Sequence, residues 1–511
     1  MFHHPRIAIL GLGLGLIASP AISQQSRPRI EVQAPGELGS GRVLLFAQRI
    51  EAGETEPPKS VSADPFVHKQ NFVAAREIPG LAAGARIGLD GDDQAYPASM
   101  SALAPGDYWV QAVLDRDHDY AYRGAPTGDD VVSPVQRITL PTSGAAPVLT
   151  LSTTVPTWPL WESARGPMFS AEDRAVVDQR IKPFEFVSPT LSAFHGRPIT
   201  MRGLVVTPVG YDEGSDTYPV VYFTHGFAAG MESLGDSAVG VLTATHAGRL
   251  PPMIWVMLDQ SGPFGTHEFA DSVNTGPWAT ALTRELIPDI EARHRTDGRA
   301  ESRFLMGHSS GGWAMLWLQV NHPDLFGGAW ISAPDVTDFT DYLGVDITRP
   351  EARVVSEMGR MEAVLGDYGG QASSFEAVFS PRGADGRPMP LYDRATGAVD
   401  PQVARYWRER WDVSQRVRTG WVPERLDNRL HVWVGANDQF GLDRSVRRLE
   451  AAVTAVGGRA DFTYLPGKGH FDLYADGGDR WALRRIMAWQ MWKRARPNSP
   501  LADPVATPPA S

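Results

Sequence analysis

The pentapeptide 307–311 (GHSSG) constrains the fold of this chain more than any other feature. It lies between the apolar run 303–306 and the helix-like segment 313–318, so the sequence predicts a strand, a sharp turn and a helix in succession. In such a turn the central serine adopts a strained backbone conformation that exposes its hydroxyl. The glycines on either side prevent collisions with the neighbouring strand and helix. Ser309 is therefore the predicted nucleophile.

A nucleophilic serine needs a general base, and the base needs an acid that orients it. A pattern typical of a buried strand follows at 430–435 and another strand pattern at 461–465, and the loops after them carry Asp438 and His470. Open α/β sheets bind ligands at this end of their strands. We therefore predict a catalytic triad of Ser309, Asp438 and His470, in the chain order serine, acid, histidine.

The choice of acid is open at this point. Asp443 and Asp412 are alternatives if Asp438 only caps a turn, as aspartates in loops often do. Asp335 is a further candidate, because some hydrolases take the acid from the strand that follows the nucleophile. The base is better defined, since the other downstream histidine, His431, lies inside a predicted strand.

An oxyanion hole requires two backbone N–H groups that point at the developing negative charge. One is expected from Ser310, directly after the nucleophile. The other is expected from Phe227, which follows the predicted buried strand 219–224, although an ordinary turn is the alternative there. His225 and His308 lie next to these donors and are predicted to line the substrate site.

Several of these segments resemble the esterase family that contains enterochelin esterases, feruloyl and acetyl-xylan esterases, S-formylglutathione hydrolases and mycolyltransferases. The matching segments, within about residues 180 to 495, are 221–226 (VYFTHG), 269–272 (FADS), 285–288 (ELIP), 306–312 (MGHSSGG) and 469–470 (GH). The resemblance implies an α/β-hydrolase fold and hydrolysis of carboxylic esters without a cofactor, with Ser309 as nucleophile and His470 as base. It leaves the substrate undefined, because members of the family share the triad and differ in their pockets.

Alternating strand and helix patterns over residues 181–497 predict an α/β fold with a mainly parallel central sheet. Ahead of it, short alternating runs with frequent turn signals predict a smaller β-sandwich-like domain over 24–155. A linker over 156–180 is expected to join the two. The Pro- and Ala-rich tail 498–511 is predicted to be disordered.

Almost one hundred residues separate two consecutive predicted strands, which is far more than a single crossover helix needs. We therefore expect a lid over the active site within 335–428. Trp407 and Trp411 share one face of a helix if this stretch is helical, and they are predicted to line the substrate site. Packing of the lid onto the body is the alternative for them. Trp278 is expected to form another wall of the site.

The first residues predict export. Residues 1–6 carry a positive charge, 7–18 are nearly all apolar or glycine, and small residues precede a cleavage site after Ser23. The apolar run is too short to remain as a spanning helix, so we expect residues 1–23 to be a signal peptide and the protein to be periplasmic or secreted. The sequence has no cysteine, so we expect no disulfide, catalytic thiol or lipid-anchored cysteine.

The net charge of the chain limits the classes of partner that we expect. A net charge of -11 argues against nucleic acid and against anionic membrane surfaces. We therefore expect a small-molecule or carbohydrate-linked ester as substrate and no stable membrane anchor. An acyltransferase that uses the same acyl-enzyme is an alternative function. A non-catalytic protein that binds a carbohydrate or a partner on a hydrolase fold is another.

Three alternating aspartates, Asp115, Asp117 and Asp119, follow a predicted strand of the N-terminal domain. Their hard oxygens suit Ca²⁺, but the glycine and distal glutamate of an EF-hand loop are missing. A solvated hairpin turn is the favoured interpretation, and no metal is predicted at the catalytic site. A bound Ca²⁺ would be expected to stabilise the N-terminal domain rather than take part in the chemistry.

Overall fold

The computed structural model describes residues 29–63, 71–163 and 166–504. The expected signal peptide lies outside the described residues, as does the end of the tail beyond residue 504. Within the described ranges, no helix combines the length and the apolar character needed to cross a bilayer.

An eight-stranded sheet forms the centre of the larger part of the molecule. Its strands, numbered along the chain, are β1 (Ile181–Val187), β2 (Thr200–Val206), β3 (Val220–Thr224), β4 (Ile254–Leu258), β5 (Arg303–His308), β6 (Gly328–Ser332), β7 (Leu430–Gly435) and β8 (Asp461–Leu465). They lie in the order β1-β2-β4-β3-β5-β6-β7-β8. The pairs β1/β2 and β2/β4 are antiparallel, and every other neighbouring pair is parallel. The predicted α/β fold with a mainly parallel sheet is therefore confirmed.

The central strands are buried on both faces. Every residue of β3, β4 and β6 is buried, as expected for parallel strands covered by helices, whose sequences read as continuous apolar runs. The two strands that precede the predicted acid and base, β7 and β8, have the predicted bounds. Parallel strands in register bring their carboxyl ends to one edge of the sheet, which positions the loops of the site.

Helices connect these strands and pack on the sheet. The helix Ser310–Asn321 contacts β3, β5 and β6, and Leu442–Ala455 contacts β7. The other helices outside the insertion described below are Arg174–Arg180, Pro189–His195, Met231–His246, Trp278–Ala281, Ile287–Arg293 and Ala482–Ala495, with a π-helical turn at Leu282–Leu286 and a 3₁₀ turn at Ala300–Ser302. A further 3₁₀ turn, Phe339–Asp341, belongs to the insertion.

The predicted insertion between β6 and β7 is helical. It contains the helices Glu357–Leu365, Gln371–Phe379, Pro401–Trp411, Val413–Gly420 and Pro423–Leu426. Aromatic side chains at its centre, Phe379 and Trp407 among them, pack against one another and form part of the main apolar core. The insertion is therefore a packed part of the larger domain.

Two sheets make up the N-terminal part. The smaller one contains Arg29–Gln33, Arg86–Asp90 and Val148–Thr150, and the larger one contains Gly41–Arg49, Phe72–Ile78, Gln94–Tyr96, Gly106–Asp115, Val131–Val132, Gln136–Leu140 and Thr153–Thr154. A 3₁₀ turn (Met100–Ala102) and a short helix (Tyr120–Arg123) complete this part, and a small hairpin (Glu162–Ser163 with Gly166–Pro167) leads to the larger domain. Both sheets bury side chains in one apolar cluster, including Val32 of the smaller sheet and Leu45 of the larger one.

The N-terminal part also packs directly on the helical insertion. Phe46 of the larger sheet and Met361 of the helix Glu357–Leu365 are fully buried in one cluster. Beside them, the buried guanidinium of Arg42 donates to the carbonyl oxygen of Val364 from Nε (3.0 Å) and Nη2 (2.8 Å). A shared apolar core therefore joins the two parts of the chain, in addition to the linker between them.

Candidate active site

Ser309 occupies the strained turn that the sequence predicts between β5 and the helix Ser310–Asn321. Its backbone angles are φ 58° and ψ -125°, a conformation that costs a non-glycine residue of order 1–3 kcal/mol. The flanking glycines are needed for close approach. A Cβ on Gly307 would collide with the backbone of Gly311, and a Cβ on Gly311 would collide with the backbone of His225. The turn therefore holds the half-buried serine at the carboxyl edge of the sheet.

The predicted acid and base form a buried pair at the same edge. Nδ1 of His470 lies 2.8 Å from Oδ2 of Asp438, and the two side chains are 3% and 0% exposed. The other carboxylate oxygen of Asp438 accepts the backbone N–H of Phe440 at 2.9 Å. The side chain of Gln439 accepts the N–H of His470 at 2.6 Å, which anchors the histidine loop. Both the ring and the backbone of His470 are thus held in place.

The other acids considered from the sequence have different contacts. Asp412 caps the helix Val413–Gly420, since its Oδ1 accepts the N–H of Gln415 at 2.7 Å. Asp443 lies in the first turn of its own helix and pairs with Arg447 at 3.8 Å. Of the four candidates, Asp438 is the one that hydrogen-bonds to the predicted base.

Asp335 contacts the nucleophile itself. Its Oδ1 accepts a hydrogen bond from the Ser309 hydroxyl at 3.3 Å, and its Oδ2 accepts one from the Ser310 hydroxyl at 2.5 Å. Burial is the largest influence on Asp335 and raises its pKa to about 6, although these hydrogen bonds and the nearby His470 act in the opposite direction. The hydroxyl of Ser309 is therefore directed toward Asp335 in this structure.

A second buried acid lies behind the nucleophile turn. Glu268 accepts a hydrogen bond from Thr266 Oγ1 at 2.7 Å, and burial, followed by the charge of Asp335, raises its pKa well above the usual value. Gln371 of the insertion lies 3.4 Å from the Ser310 hydroxyl and 3.5 Å from Asp335 Oδ2. Sequence patterns do not single out Glu268 or Gln371, because the chain brings them to Ser310 from distant segments. Glu268 directly precedes the family-like segment FADS, which is the one available signal.

The two predicted oxyanion donors directly follow Gly226 and Ser309, which lie close to each other. A Cβ on Gly226 would be 3.2 Å from the Ser309 Cβ, so the backbone that leads into Phe227 passes directly against the nucleophile. Ser310 is the first residue of its helix, and an N–H in that position has no acceptor within the helix. Both donors remain predictions from the sequence.

His225 is a support of this loop rather than a wall of the substrate site. It is 4% exposed, its Nε2 lies 2.8 Å from Oδ1 of Asp259, and the N–H of Gln260 lies 3.0 Å from the same nitrogen. Arg202 donates to the other oxygen of Asp259 at 2.6 Å. Burial alone would raise the pKa of Asp259, but the bond from His225 and the charge of Arg202 lower it below the usual value. The predicted lining role of His225 is therefore wrong.

The N-terminal part supports the same loop from the other side. Tyr122, in the short helix Tyr120–Arg123, donates its hydroxyl to the carbonyl oxygen of Ala229 at 2.6 Å. Its ring packs edge-on against Phe227, with ring centres 5.1 Å apart. Ala228, between these two contacts, has a positive φ of 65° that needs such support. Nothing in the sequence links Tyr122 to the site, because more than one hundred residues separate it from the loop.

The remaining predicted lining residues have different environments. Trp278 lines a cavity of about 1230 Å³ between the N-terminal part and the larger domain, and its ring stacks on His267 at 3.6 Å. His308 packs its ring against His470, with centres 4.6 Å apart, and its Nδ1 lies 3.1 Å from the Ser332 hydroxyl. Burial, followed by the nearby His470, lowers the pKa of His308 well below its usual value. His308 therefore packs behind the base as a neutral ring.

Trp407 and Trp411 do not line the site, and this part of the prediction is wrong. They are 0% and 3% exposed and pack around Phe379 in the aromatic core of the insertion. The indole N–H of Trp407 is satisfied by the Ser380 hydroxyl at 2.9 Å. Their spacing on one face of a helix reflects packing, because large aromatic residues at such positions usually face a core.

Among the residues that the structure describes, one group of three acidic or histidine side chains is close enough to share an ion. It consists of Asp115, Asp119 and Asp130 of the N-terminal part.

The strand order and the serine turn together define an α/β-hydrolase fold. Residues 196–491, more than half of the 511-residue chain, match the model of the esterase family described as "Putative esterase". The chain belongs to this esterase family.

Individual relatives are distant. Esterase Rv1288 of Mycobacterium tuberculosis is 28% identical over 203 residues, which span 39% of this chain and 39% of the relative. Among solved structures, a ferulic acid esterase is 16% identical, with 61% of this chain and 95% of that chain covered and a TM-score of 0.38. An S-formylglutathione hydrolase from Agrobacterium tumefaciens is 14% identical, with 62% and 94% covered and a TM-score of 0.38. These structural scores are too low to support an inference about the substrate.

Proposed function

We propose that this protein is a serine esterase that hydrolyses carboxylic esters through an acyl-Ser309 intermediate. The observation that carries the proposal is the buried hydrogen bond between His470 and Asp438 at the sheet edge where the strained turn presents Ser309. Membership of the esterase family supports ester hydrolysis as the reaction.

In the proposed first step, His470 accepts the proton of the Ser309 hydroxyl through Nε2 while the serine oxygen attacks the ester carbonyl. The hydrogen bond to Asp438 fixes the tautomer in which Nδ1 carries the proton and stabilises the imidazolium that forms. The hydroxyl must first turn from Asp335, its partner in this structure, toward His470.

The tetrahedral intermediate carries its negative charge on the former carbonyl oxygen. In the proposal, the backbone N–H groups of Phe227 and Ser310 donate to this oxygen, and one such donor is typically worth about 3–4 kcal/mol of barrier. His470 then returns the proton to the departing alcohol. A water molecule attacks the acyl-enzyme in the second half of the reaction, again with His470 as base, and the carboxylic acid leaves.

A cavity near residues 225–229, the predicted oxyanion loop, supports a polar substrate. It is lined by several charged side chains, including Arg123 and Arg202, and by aromatic residues such as Tyr122 and Trp278. Tyr122 lines this cavity and also contacts Phe227, so the cavity adjoins the predicted oxyanion loop through this one residue, while neither Ser309 nor His470 lines it. We propose a small-molecule or carbohydrate-linked ester whose polar portion occupies this space.

The direct test is hydrolysis of p-nitrophenyl esters of graded acyl length by the wild-type protein and by Ser309→Ala. We expect turnover to disappear in Ser309→Ala with the circular dichroism spectrum unchanged. Ser101→Ala, at an exposed site of the N-terminal part, is the matched control and should retain full activity. Unchanged hydrolysis by Ser309→Ala would disprove the proposed nucleophile.

Two further experiments separate the alternative functions. A fluorophosphonate probe should label the wild-type protein and leave Ser309→Ala unlabelled, because it reacts with an activated serine. A non-catalytic binding protein would not be labelled. Product analysis with and without an added alcohol acceptor distinguishes water from an alcohol as the group that receives the acyl chain. Preferential acyl transfer would indicate an acyltransferase.

We also propose that the protein is exported and that cleavage follows Ser23. The support comes from the charged and apolar pattern of the first residues. Mass spectrometry of the protein from an expressing cell should give an N-terminus at Gln24. An intact N-terminus on all of the folded protein would contradict this proposal.

A further inference from the structure

Three carboxylates of the N-terminal part converge beside the short helix Tyr120–Arg123. Asp115 ends its strand, Asp119 directly precedes the helix, and Asp130 precedes the strand Val131–Val132. One ligand oxygen from each lies within 4.8 Å of the others. Two oxygens at about 2.4 Å from a single Ca²⁺ ion span at most this distance.

The negative charge of this group is poorly compensated. Asp115 is 1% exposed, and its Oδ1 has no hydrogen-bond partner among the described residues, while its Oδ2 accepts a 3.3 Å bond from the N–H of Tyr120. Asp130 is fully buried and accepts N–H groups of Arg116 and Thr127. A buried carboxylate oxygen without a donor is costly unless a cation or a proton satisfies it. This orphaned oxygen is evidence for a ligand that is independent of the grouping itself.

Positive side chains do not fill this role. Arg123 reaches Asp119 at 3.4 Å, but both side chains are 29% exposed and the contact is at the edge of the group. The environment therefore has the strong excess of negative charge that a divalent cation would neutralise.

We propose that Asp115, Asp119 and Asp130 bind a Ca²⁺ ion. The donors are all carboxylate oxygens, which hard cations prefer, and no nitrogen or sulfur ligand belongs to the group. Ca²⁺ tolerates the irregular geometry of ligands from a strand end and two loops, whereas Mg²⁺ demands a near-ideal octahedron. The alternating aspartates of the sequence include Asp117, and the structure replaces it in the group by Asp130.

The position of the ion would couple its binding to the predicted oxyanion loop. Asp115 and Asp119 precede the helix whose Tyr122 donates to Ala229 and packs on Phe227. An ion bound to both aspartates fixes the start of this helix and thereby the support of the oxyanion loop. Ion binding stands independently of the proposed esterase function, whereas this effect on turnover rests on it.

The test uses the full chain after removal of divalent ions with EGTA. We expect isothermal titration with CaCl₂ to show one site per chain, and we expect Ca²⁺ to raise the melting temperature by several degrees, with MgCl₂ less effective. Asp119→Asn should weaken Ca²⁺ binding at least about tenfold, because a neutral amide replaces a charged ligand. Asp129→Asn is the matched control, since Asp129 is exposed, adjacent and outside the group, and it should bind as the wild type does.

Each result has a defined consequence. Absence of both Ca²⁺ binding and thermal stabilisation in the wild type overturns the site, whatever the variants do. Equal affinity in Asp119→Asn and Asp129→Asn places the ion elsewhere and also overturns it. Ca²⁺ binding in a protein that hydrolyses no ester would leave the site standing and would instead refute the esterase proposal. If hydrolysis occurs but is unchanged by EGTA, the site stands and the link to the oxyanion loop fails.

Discussion

Asp335 and Asp438 are two buried carboxylates of the candidate site, and each accepts hydrogen bonds from different catalytic candidates. Asp438 holds the imidazole of His470, and Asp335 holds the hydroxyls of Ser309 and Ser310. Both follow strands of the same sheet, which is why the sequence leaves either one possible as the catalytic acid. The hydrogen bonds separate their roles, since a triad acid acts through the base.

Replacing each carboxylate by its amide tests this division. Asp438→Asn should reduce kcat for ester hydrolysis by up to about 10⁴-fold, because the amide favours the wrong tautomer of His470. Asp335→Asn should change kcat by less than about tenfold, since an amide oxygen can still accept the hydroxyl hydrogen bond. Steady-state kinetics of both variants measure the difference. A larger loss in Asp335→Asn would make Asp335 the catalytic acid.

His267 should make the stability of the fold depend on pH. Burial is the largest influence on this ring and lowers its pKa to about 3. The unfolded chain therefore binds a proton more readily, so the contribution of His267 to stability is complete above about pH 6.5 and is lost as the pH falls toward 3. At pH 5 the loss from this one group is about 2 kcal/mol relative to pH 8.

Urea unfolding of the wild type and of His267→Asn at pH 8 and pH 5 measures this contribution. The asparagine oxygen can replace Nδ1 as acceptor of the Phe269 N–H. We expect the free energy of unfolding to fall more between the two pH values in the wild type than in the variant. Other titrating groups are common to both proteins and cancel in the difference. Equal pH dependence would show that His267 is protonated normally in the folded protein.

At the scale of elements, the oxyanion loop is held between two different parts of the chain. At the start of the loop, the ring of His225 is hydrogen-bonded to Asp259, which directly follows β4. At its end, the carbonyl oxygen of Ala229 accepts a hydrogen bond from Tyr122 of the N-terminal part. The strained φ of Ala228 lies between these supports. The loop geometry therefore depends on a residue that precedes the hydrolase fold in the chain.

Tyr122→Phe removes the hydrogen bond to Ala229 and keeps the ring that packs on Phe227. If the bond positions the loop, kcat should fall about 2- to 10-fold, which corresponds to a hydrogen bond of typical net strength, and KM should change less. Tyr108→Phe is the matched control, because the Tyr108 hydroxyl also donates to a backbone carbonyl, that of Ala104, at 2.7 Å. Similar kinetics for the two variants would contradict a positioning role for Tyr122.

The sequence is most informative where local patterns decide the structure. The strands β7 and β8 have their predicted bounds because each is a short run rich in apolar, aromatic or β-branched residues, with glycine at its end or proline directly after it. The strained turn at Ser309 is predictable because its flanking glycines leave few alternatives. Residues such as Glu268 and Tyr122 were not predictable, since long-range packing alone brings them to the site. Trp407 shows the opposite error, in which a real helical pattern marks a core and not a pocket.

At the scale of the whole molecule, the N-terminal part and the helical insertion share a buried core. Met361 and Phe46 are fully buried in the same cluster, and Arg42 donates to the carbonyl oxygen of Val364. The two parts should therefore unfold together. We expect differential scanning calorimetry of the full chain to show one cooperative transition.

Met361→Ala tests this coupling. Removal of a fully buried methionine side chain should cost about 2–5 kcal/mol and lower the temperature of the single transition. Met358→Ala, a half-buried position on the same helix, is the control and should have a smaller effect. A separate, earlier transition for the N-terminal part in either protein would show that the shared core does not couple them.

The bond between Tyr122 and Ala229 has a consequence for the engineering and ancestry of such chains. A domain that precedes a catalytic domain can be exchanged freely when the catalytic domain functions without it. Here the N-terminal part donates a hydrogen bond to a loop of the candidate active site. A shortened or re-fused protein therefore has to retain or replace this bond to keep full activity. Chimaeras whose leading domain lacks an equivalent phenol at this loop should consequently be about 2- to 10-fold slower than those that retain it.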